Sequence, residues 1–437
     1  MENGVMSKLQ RLKKSNIVRH SVELFFTQGF ASVIAMVNTS LMVKSLGMTA
    51  VGIVGSIVAY ATFFDGLLNF QSYNSVIKYG SEAKAENNTE RLFSYFRMAF
   101  YQDAVTAILA ALLGAVCMET VSSWLQWSNE VKELALFYLI TIPMNINGST
   151  NGVLRLNDKF TYTGTISIIT NALKTVFLVL MMNRGFTVRE YLYVEIGRIF
   201  LYNVTVFVVS NHVNIKKYGR SPYAGRFVFD KEFTKYNIYN NLRTTVDMPT
   251  GQVVNLLINK FLGFEAVGIY TVLTKIGSIV SKVTSPISQS MLPEISMMVA
   301  KGKKKRAWQI GKKLFIYVNA IGVLAAFIMC LMYKLWMPFF MEVTMKNNLY
   351  FGFYILYLAF TSASVGIHSY FIACNYVKAN LYISCICNVL YILLLFLTIQ
   401  RFELYAVIGS LLGQAMLVML CKLYYVKRVQ NLGRTSE

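Results

Sequence analysis

The chain has 437 residues, of which 55% are hydrophobic and only 14% are charged. This balance excludes an ordinary soluble domain and indicates a polytopic membrane protein. A formal net charge of +21 would suggest nucleic-acid binding in a soluble protein. In a membrane protein it is typical of basic cytoplasmic loops, so we predict no nucleic-acid partner.

Apolar runs along the chain predict twelve membrane helices. They cover about residues 17–43, 50–77, 95–117, 132–154, 160–182, 190–211, 236–261, 266–291, 311–333, 348–371, 379–399 and 402–426. Six runs precede a basic segment and six follow it. We therefore predict an all-α protein with an N-terminal six-helix lobe at 1–211, a cytoplasmic basic linker at 212–235 and a C-terminal six-helix lobe at 236–437.

An internal repeat relates the two lobes. The segment 41–53 returns 216 positions later as 257–269, with eight of thirteen residues identical. The segment 166–173 returns at 383–390 with five of eight identical, at a shift of 217. A register preserved over this distance indicates two copies of one unit. Because each copy has an even number of spans, the two repeats should run parallel across the membrane.

The distribution of basic residues predicts the orientation. Of the 42 lysines and arginines, 29 fall on the side that holds both termini and the 212–235 linker, and eight fall on the opposite side. Cytoplasmic loops carry the excess of basic residues, so we predict a multi-pass protein with both termini in the cytoplasm.

The remaining five basic residues lie inside predicted spans: Lys174, Arg198, Arg243, Lys275 and Lys282. Each would cost about 2.5–3.5 kcal/mol at the bilayer centre, so we expect them to face protein or water. Lys275 and Lys282 belong to one polar face of the eighth span, which follows a helical spacing. We interpret the five as binding residues for a negatively charged substrate.

Carboxylates inside the spans offer a structural alternative for these cations. Glu195 can pair with Arg198, and Arg243 can pair with Asp247, each within one helix. Lys275 and Lys282 could instead pair with acids on other helices. The break that follows Asp247 argues against simple pairing there, because Pro249 and Gly251 should interrupt the seventh span and expose polar groups.

The repeat register separates ligand binding from packing. A shift of 216 places Arg243, Asp247, Lys275 and Lys282 opposite uncharged residues of the first copy. The scaffold is duplicated and these charges are not, which favours a role in ligand binding. We assign Glu23, Asp65 and Asp247 to charge balance or to a coupling proton or sodium ion.

Motifs for catalysis are absent from the sequence. We find no phosphate-binding loop, no nucleophile with its base and no metal-ligand spacing. Cys385 and Cys387 form a Cys-x-Cys pair without histidine partners, which is more typical of small core residues than of a metal site. We predict a protein that is not an enzyme and has no metal or cofactor.

Two segments carry a family resemblance. Residues 65–80 (DGLLNFQSYNSVIKYG), at the end of the second span, and 152–160 (GVLRLNDKF), between the fourth and fifth spans, resemble polysaccharide flippases of the multidrug/oligosaccharidyl-lipid/polysaccharide exporter superfamily. The resemblance implies two lobes around a central cationic cavity. It also implies a flippase of the bacterial inner membrane that moves an undecaprenyl-diphosphate-linked oligosaccharide outward by alternating access, for O-antigen or capsule (lipopolysaccharide-type) biosynthesis.

The expected partners are this lipid-linked oligosaccharide, a coupling H+ or Na+ and membrane lipids, with the protein acting as a monomer. Two other functions stay open. A multidrug or cation antiporter of the same superfamily would need acidic rather than basic binding residues. A membrane polysaccharide polymerase or ligase would need a sizeable external loop with catalytic Arg or His, which the sequence lacks.

Overall fold

A computed structural model describes residues 16–159, 161–246 and 248–432. Within these ranges the side chains of residues 16–26, 28, 243–244, 249, 280–290, 292–293, 377 and 429–432 are outside the description. All described secondary structure is helical, and none of the described residues lies in a strand.

The helices are numbered in chain order. They are α1 (Asn16–Leu68), α2 (Tyr73–Ala85), α3 (Thr89–Leu125), α4 (Asn129–Tyr138), α5 (Thr141–Met144), α6 (Gly148–Leu156), α7 (Thr161–Met182), α8 (Val188–Tyr218), α9 (Lys231–Thr245), α10 (Gln252–Ala300), α11 (Lys304–Leu331), α12 (Tyr333–Trp336), α13 (Met345–Ala363), α14 (Val365–Ala373) and α15 (Val377–Leu432). Short 3-10 turns lie at Met248–Thr250 and Met337–Phe339.

Eight described helical segments are long and apolar enough to cross a membrane. The difference from the predicted twelve spans has two visible sources. Helices α1, α10 and α15 each run through a kink without a loop, and the fourth predicted span is divided among α4, α5 and α6. The count of twelve therefore stays a prediction.

The chain divides into two compact units. The first comprises residues up to Gly47 and Ile53–Met248, and the second comprises Met48–Gly52 and Pro249 onward. The predicted lobe boundary at residue 236 falls inside α9, whereas the observed division falls after this helix, between Met248 and Pro249. That helix packs on the first unit, where Phe233 is fully buried beside Val76 and Tyr95.

Hydrogen bonds also hold α9 to the first unit. The Asn237 amide donates to Ser72 Oγ at 2.8 Å and to Gln102 Oε1 at 2.8 Å, and the Asn241 amide donates to the carbonyl of Asn69 at 3.2 Å. After α9 the chain breaks at the Met248–Thr250 turn before α10 begins. The interruption predicted at Pro249 and Gly251 is confirmed.

The second unit has its own apolar core. Met291, Ile295, Ala307, Phe371 and Val426 are buried together. On α11, by contrast, large apolar side chains are exposed, among them Ile321, Phe327 and Leu331. Apolar side chains that are left uncovered on a long helix are those that lipid can contact.

Two glycine kinks follow the predicted repeat. Gly47 in α1 has φ 81° and ψ 174°, and Gly263 in α10, 216 positions later, has φ 82° and ψ −179°. Positive φ at both sites explains why glycine is required, since a side chain is strained there. The same local geometry recurs in both copies, in agreement with the register of the sequence repeat.

A second equivalent pair makes close backbone contacts inside the second unit. A Cβ built on Gly52 would lie 1.6 Å from the carbonyl oxygen of Phe264, and one built on Gly268 would lie 2.3 Å from the carbonyl oxygen of Met48. The two contacts are related by the same 216-residue shift. Only glycine allows the backbones to approach this closely.

Candidate functional site

Helix α8 carries two charged residues of the candidate site in the first unit, Glu195 and Arg198. Its start is fixed by a capping box, in which Thr187 Oγ1 accepts from the backbone N–H of Glu190 and the Glu190 carboxylate accepts from the N–H of Thr187. Glu195, Arg198 and Asn203 then follow within the next four turns. The helix presents these polar groups inside an otherwise apolar segment.

The Glu195 carboxylate forms ion pairs with two cations, Lys174 and Arg198. Lys174 Nζ on α7 lies 2.5 Å from Glu195 Oε2, and Arg198 Nη2 lies 2.6 Å from Glu195 Oε1. Lys174 also donates to the hydroxyl of Tyr191 at 2.8 Å. We call these four residues the Glu195 cluster. The pair of Glu195 with Arg198 that the sequence suggested is present, and Lys174 is a further partner.

The Glu195 cluster is largely buried and positively charged. Lys174 is 6% exposed, whereas the Arg198 side chain is 19% exposed. Two cations and one carboxylate give a formal charge of +1, because Arg is always protonated and a lysine bound to a carboxylate keeps its proton. Arg198 is the more accessible cation, so it is the one better placed to meet a ligand.

A broken helix lies beside this cluster. The fourth predicted span consists of α4, α5 and α6, and Asn145 and Asn147 occupy the gap between α5 and α6. Irregular backbone at membrane depth is tolerated only where it faces protein or a water-filled space. A break filled with asparagines is therefore a feature of a polar interior rather than of a lipid-facing surface.

Asp65, near the end of α1, is held by this break. Its carboxylate accepts from the amides of Asn69 at 2.7 Å, Gln71 at 3.2 Å and Asn145 at 3.2 Å. Asp65 is only 7% exposed. All three donors are neutral amides, so these hydrogen bonds bring no counter-charge to the carboxylate.

Asparagines connect Asp65 to α8. The Asn147 amide donates to Asn145 Oδ1 at 2.7 Å and to Asn203 Oδ1 at 3.3 Å. We call this chain, from Asp65 through its three donors to Asn147 and Asn203, the Asp65 network. Asn203 and Arg198 are five residues apart on α8, so the Asp65 network and the Glu195 cluster both include residues of this one helix in the first unit.

A second buried carboxylate supports this region. Asp103 on α3 is fully buried, and its Oδ1 accepts from the backbone N–H of Ser72 at 2.9 Å and from Ser72 Oγ at 2.5 Å. Ser72 in turn accepts from Asn237. Asp103 thus fixes the segment between α1 and α2, which includes the Asp65 donors Asn69 and Gln71.

The other predicted site residues are distributed as follows. Lys275 lies on α10 in the second unit with an exposed side chain, and Ser278, on the same predicted polar face, is also exposed. The side chains of Glu23, Arg243 and Lys282, and all of Asp247, lie outside the described residues. Sequence reasoning did not identify Asn145, Asn147 or Asn203, since uncharged amides inside a span carry little signal on their own.

Sequence similarity to a curated protein covers part of the chain. No family model matches the chain. A curated relative, Inner membrane protein YghQ of Escherichia coli (strain K12), is 24% identical over 144 residues, which cover 33% of this chain and 41% of YghQ. The chain thus matches about two-fifths of the length of that relative.

Solved structures match over nearly the whole chain. An inward-facing multidrug resistance MATE family transporter of the MOP superfamily aligns with a TM-score of 0.73 at 12% identity, covering 93% of this chain and 96% of the transporter. The lipid II flippase MurJ, in an inward closed conformation, aligns with a TM-score of 0.66 at 14% identity over 94% of this chain and 87% of MurJ. The chain therefore has the fold shared by the MATE transporters and the MurJ flippase.

Proposed function

We propose that this protein is a flippase that moves an undecaprenyl-diphosphate-linked oligosaccharide from the inner to the outer leaflet of the bacterial inner membrane, for the synthesis of a surface polysaccharide. The observation that carries the proposal is the net positive Glu195 cluster inside a transporter fold. A cationic group in the membrane interior is costly, and an anionic substrate that passes beside it would offset that cost.

The electrostatics favour outward movement of such a substrate. A diphosphate carries about two negative charges, and the membrane potential, negative inside, favours their outward transfer by about 2.3 kcal/mol per charge per 100 mV. Arg198 is the proposed contact in the first unit, with Lys174 extending the basic surface. Lys275 and Lys282 of the second unit, together with Arg243, are proposed to hold the diphosphate during alternating access.

A cation antiporter is the second candidate, and the Asp65 network favours it. A buried carboxylate whose hydrogen-bond donors among the described residues are all neutral amides attracts a cation. In an antiporter that cation would be the drug or its exchange ion. In the flippase it would be a coupling proton or sodium ion, with Asp65 assisted by Glu23 and Asp247. The solved structures that share the fold are transporters, which supports a role without catalysis.

A deletion strain distinguishes the two candidates. We expect loss of the gene to cause lipid-linked oligosaccharide to accumulate in the inner leaflet, detected by mass spectrometry of extracted lipids and by protection of the sugar from external reagents. Wild type should reverse the accumulation. The variant Arg198→Gln should not, although it leaves Lys174 and Glu195 as a balanced pair.

The control variant is Arg189→Gln on the same helix, where Arg189 forms a wide, exposed pair with Glu133 at 3.7 Å. This variant should complement like wild type. Unchanged lipid-linked oligosaccharide in the deletion strain, together with new sensitivity to cationic dyes such as ethidium, would contradict the flippase and support the antiporter.

A further inference from the structure

A partly open cavity of about 260 Å³ with a mixed polar and apolar lining lies in the second unit, among α13, α14 and α15. One water needs about 10–15 Å³ by the same measure, so the cavity has room for a group much larger than a water. The polar side chains that line it are Thr361, Ser364, His368, Ser384, Gln414 and Lys422. The lining includes a lysine and a histidine but no carboxylate, so it favours a negatively charged occupant.

Lys422 is the ionic centre of this cavity. It is 7% exposed, and its Nζ lies 3.0 Å from His368 Nδ1. An ammonium can only donate, so the imidazole nitrogen accepts and His368 is neutral, with its proton on Nε2. The histidine therefore orients the ammonium without cancelling its charge. The arrangement places a lysine and a histidine side by side in the lining of one cavity.

The position of Lys422 along α15 places the cavity near one membrane surface. Lys422 is nineteen positions after the kink at Glu403, which at 1.5 Å per residue is about 28 Å. This distance is close to the thickness of the hydrocarbon core, about 30 Å. If the kink lies at one surface, Lys422 lies at the level of the headgroups on the other, which the basic loops predict to be cytoplasmic.

We propose that this cavity, the phosphate pocket, binds the phosphate group of a membrane lipid. Lys422 supplies the ionic contact and the Nε2–H of His368 supplies a hydrogen bond, since lysine binds phosphate as a point charge. Gln414 and Ser384 line the polar part of the pocket, and Val418 and Met419 line its apolar part. This site is separate from the Glu195 cluster and does not depend on which cargo the protein transports.

Lipid binding to the purified protein tests the proposal. The protein would be titrated in nanodiscs of phosphatidylcholine with phosphatidylglycerol, and retained phosphatidylglycerol would be measured by native mass spectrometry. Loss of a charge-assisted contact should weaken binding about ten-fold or more, so Lys422→Gln should show this loss. Lys422→Arg, which keeps the charge, should stay within about three-fold of wild type.

Two further variants separate the pocket from general effects. Lys427→Gln removes an exposed charge five residues later on the same helix and should bind phosphatidylglycerol like wild type. Ala415→Leu keeps Lys422 but fills part of the pocket, and it should reduce binding even if Lys422→Gln fails to fold.

Inorganic pyrophosphate distinguishes a lipid from a soluble phosphate. Failure of millimolar pyrophosphate to displace phosphatidylglycerol would support the lipid. Complete displacement would overturn the lipid assignment in favour of a soluble phosphate ligand. Wild-type binding by both Lys422→Gln and Ala415→Leu, or equal loss in Lys427→Gln, would overturn the pocket itself.

Discussion

Removing the carboxylate of the Glu195 cluster should destabilise the first unit far more than removing either cation. In Glu195→Gln, two cations lose their shared carboxylate while Lys174 remains 6% exposed. Breaking a buried ion pair by removing one partner costs about 3–5 kcal/mol. This free-energy cost has an upper limit, because the unpaired lysine can become neutral instead of staying charged. A lysine with an ordinary pKa of about 10.4 loses its proton at pH 7 for about 4.6 kcal/mol.

The single cation variants should be milder. Lys174→Met leaves Glu195 with Arg198, and Arg198→Gln leaves Glu195 with Lys174, so each retains a balanced pair. The triple variant Lys174→Met/Glu195→Gln/Arg198→Gln should recover most of the stability, since replacing a whole buried ionic group by neutral residues is often neutral or favourable. Glu133→Gln, in the exposed pair with Arg189, should cost at most about 1 kcal/mol.

Thermal unfolding in detergent, followed by size-exclusion chromatography of the heated protein, measures this order. For a unit of this size, about 3–5 kcal/mol corresponds to a decrease in Tm of roughly 6–20 °C. A Glu195→Gln variant that unfolds within about 2 °C of wild type would refute the reasoning. So would a triple variant that is no more stable than Glu195→Gln alone.

Two other predictions concern Asp65 and the close glycine contacts. Asp65→Asn keeps the shape of the residue but removes its charge. Transport should therefore lose its dependence on a proton or sodium gradient, while Tm changes little. Gradient dependence equal to wild type in proteoliposomes would exclude Asp65 as the coupling residue. Gly52→Ala and Gly268→Ala each press a methyl group against a backbone carbonyl, so each should lower stability by about 1–3 kcal/mol or more in the same unfolding assay. Gly409→Ala, on α15 with no atom within 4 Å of the new methyl, should instead be neutral or stabilising, and equal losses in all three variants would contradict the contact.

The sequence predicts the features of this fold that depend on local chemistry. The 216-residue repeat locates both kinked glycines, because a backbone with positive φ needs the same residue in each copy. Pro249 and Gly251 locate the break before α10, because proline cannot continue the hydrogen-bond ladder of a helix. Excess apolar composition and the two family-like segments indicate the fold that the comparisons support.

Partners across helices are harder to predict, although one signal was available. Lys174 and Glu195 lie about equally far from the turn between α7 and α8. Residues equidistant from the turn of an antiparallel helix pair lie at similar depth, so this distance could have suggested their contact. Lys422, near the end of the last predicted span, is buried against His368, a contact between two helices that the sequence pattern does not show.

The amide partners of Asp65 could not be predicted from spacing along the chain. Asn145 and Asn147 meet Asp65 and Asn203 only because the fourth span breaks into three short helices. Pro143 and Gly148 flank the break in the sequence, but they do not indicate which side chains the asparagines between them contact. The network is a consequence of tertiary packing, which single-sequence patterns do not contain.

Reconstitution of the purified protein tests the central claim most directly. Proteoliposomes would contain an undecaprenyl-diphosphate-linked oligosaccharide, and the rate at which the sugar becomes accessible on the opposite leaflet would be measured with wild type, Arg198→Gln and Arg189→Gln. We predict rapid transfer with wild type and Arg189→Gln, and transfer slowed at least ten-fold with Arg198→Gln. Transfer no faster than in protein-free liposomes, with active uptake of a cationic dye by the same preparation, would contradict the flippase.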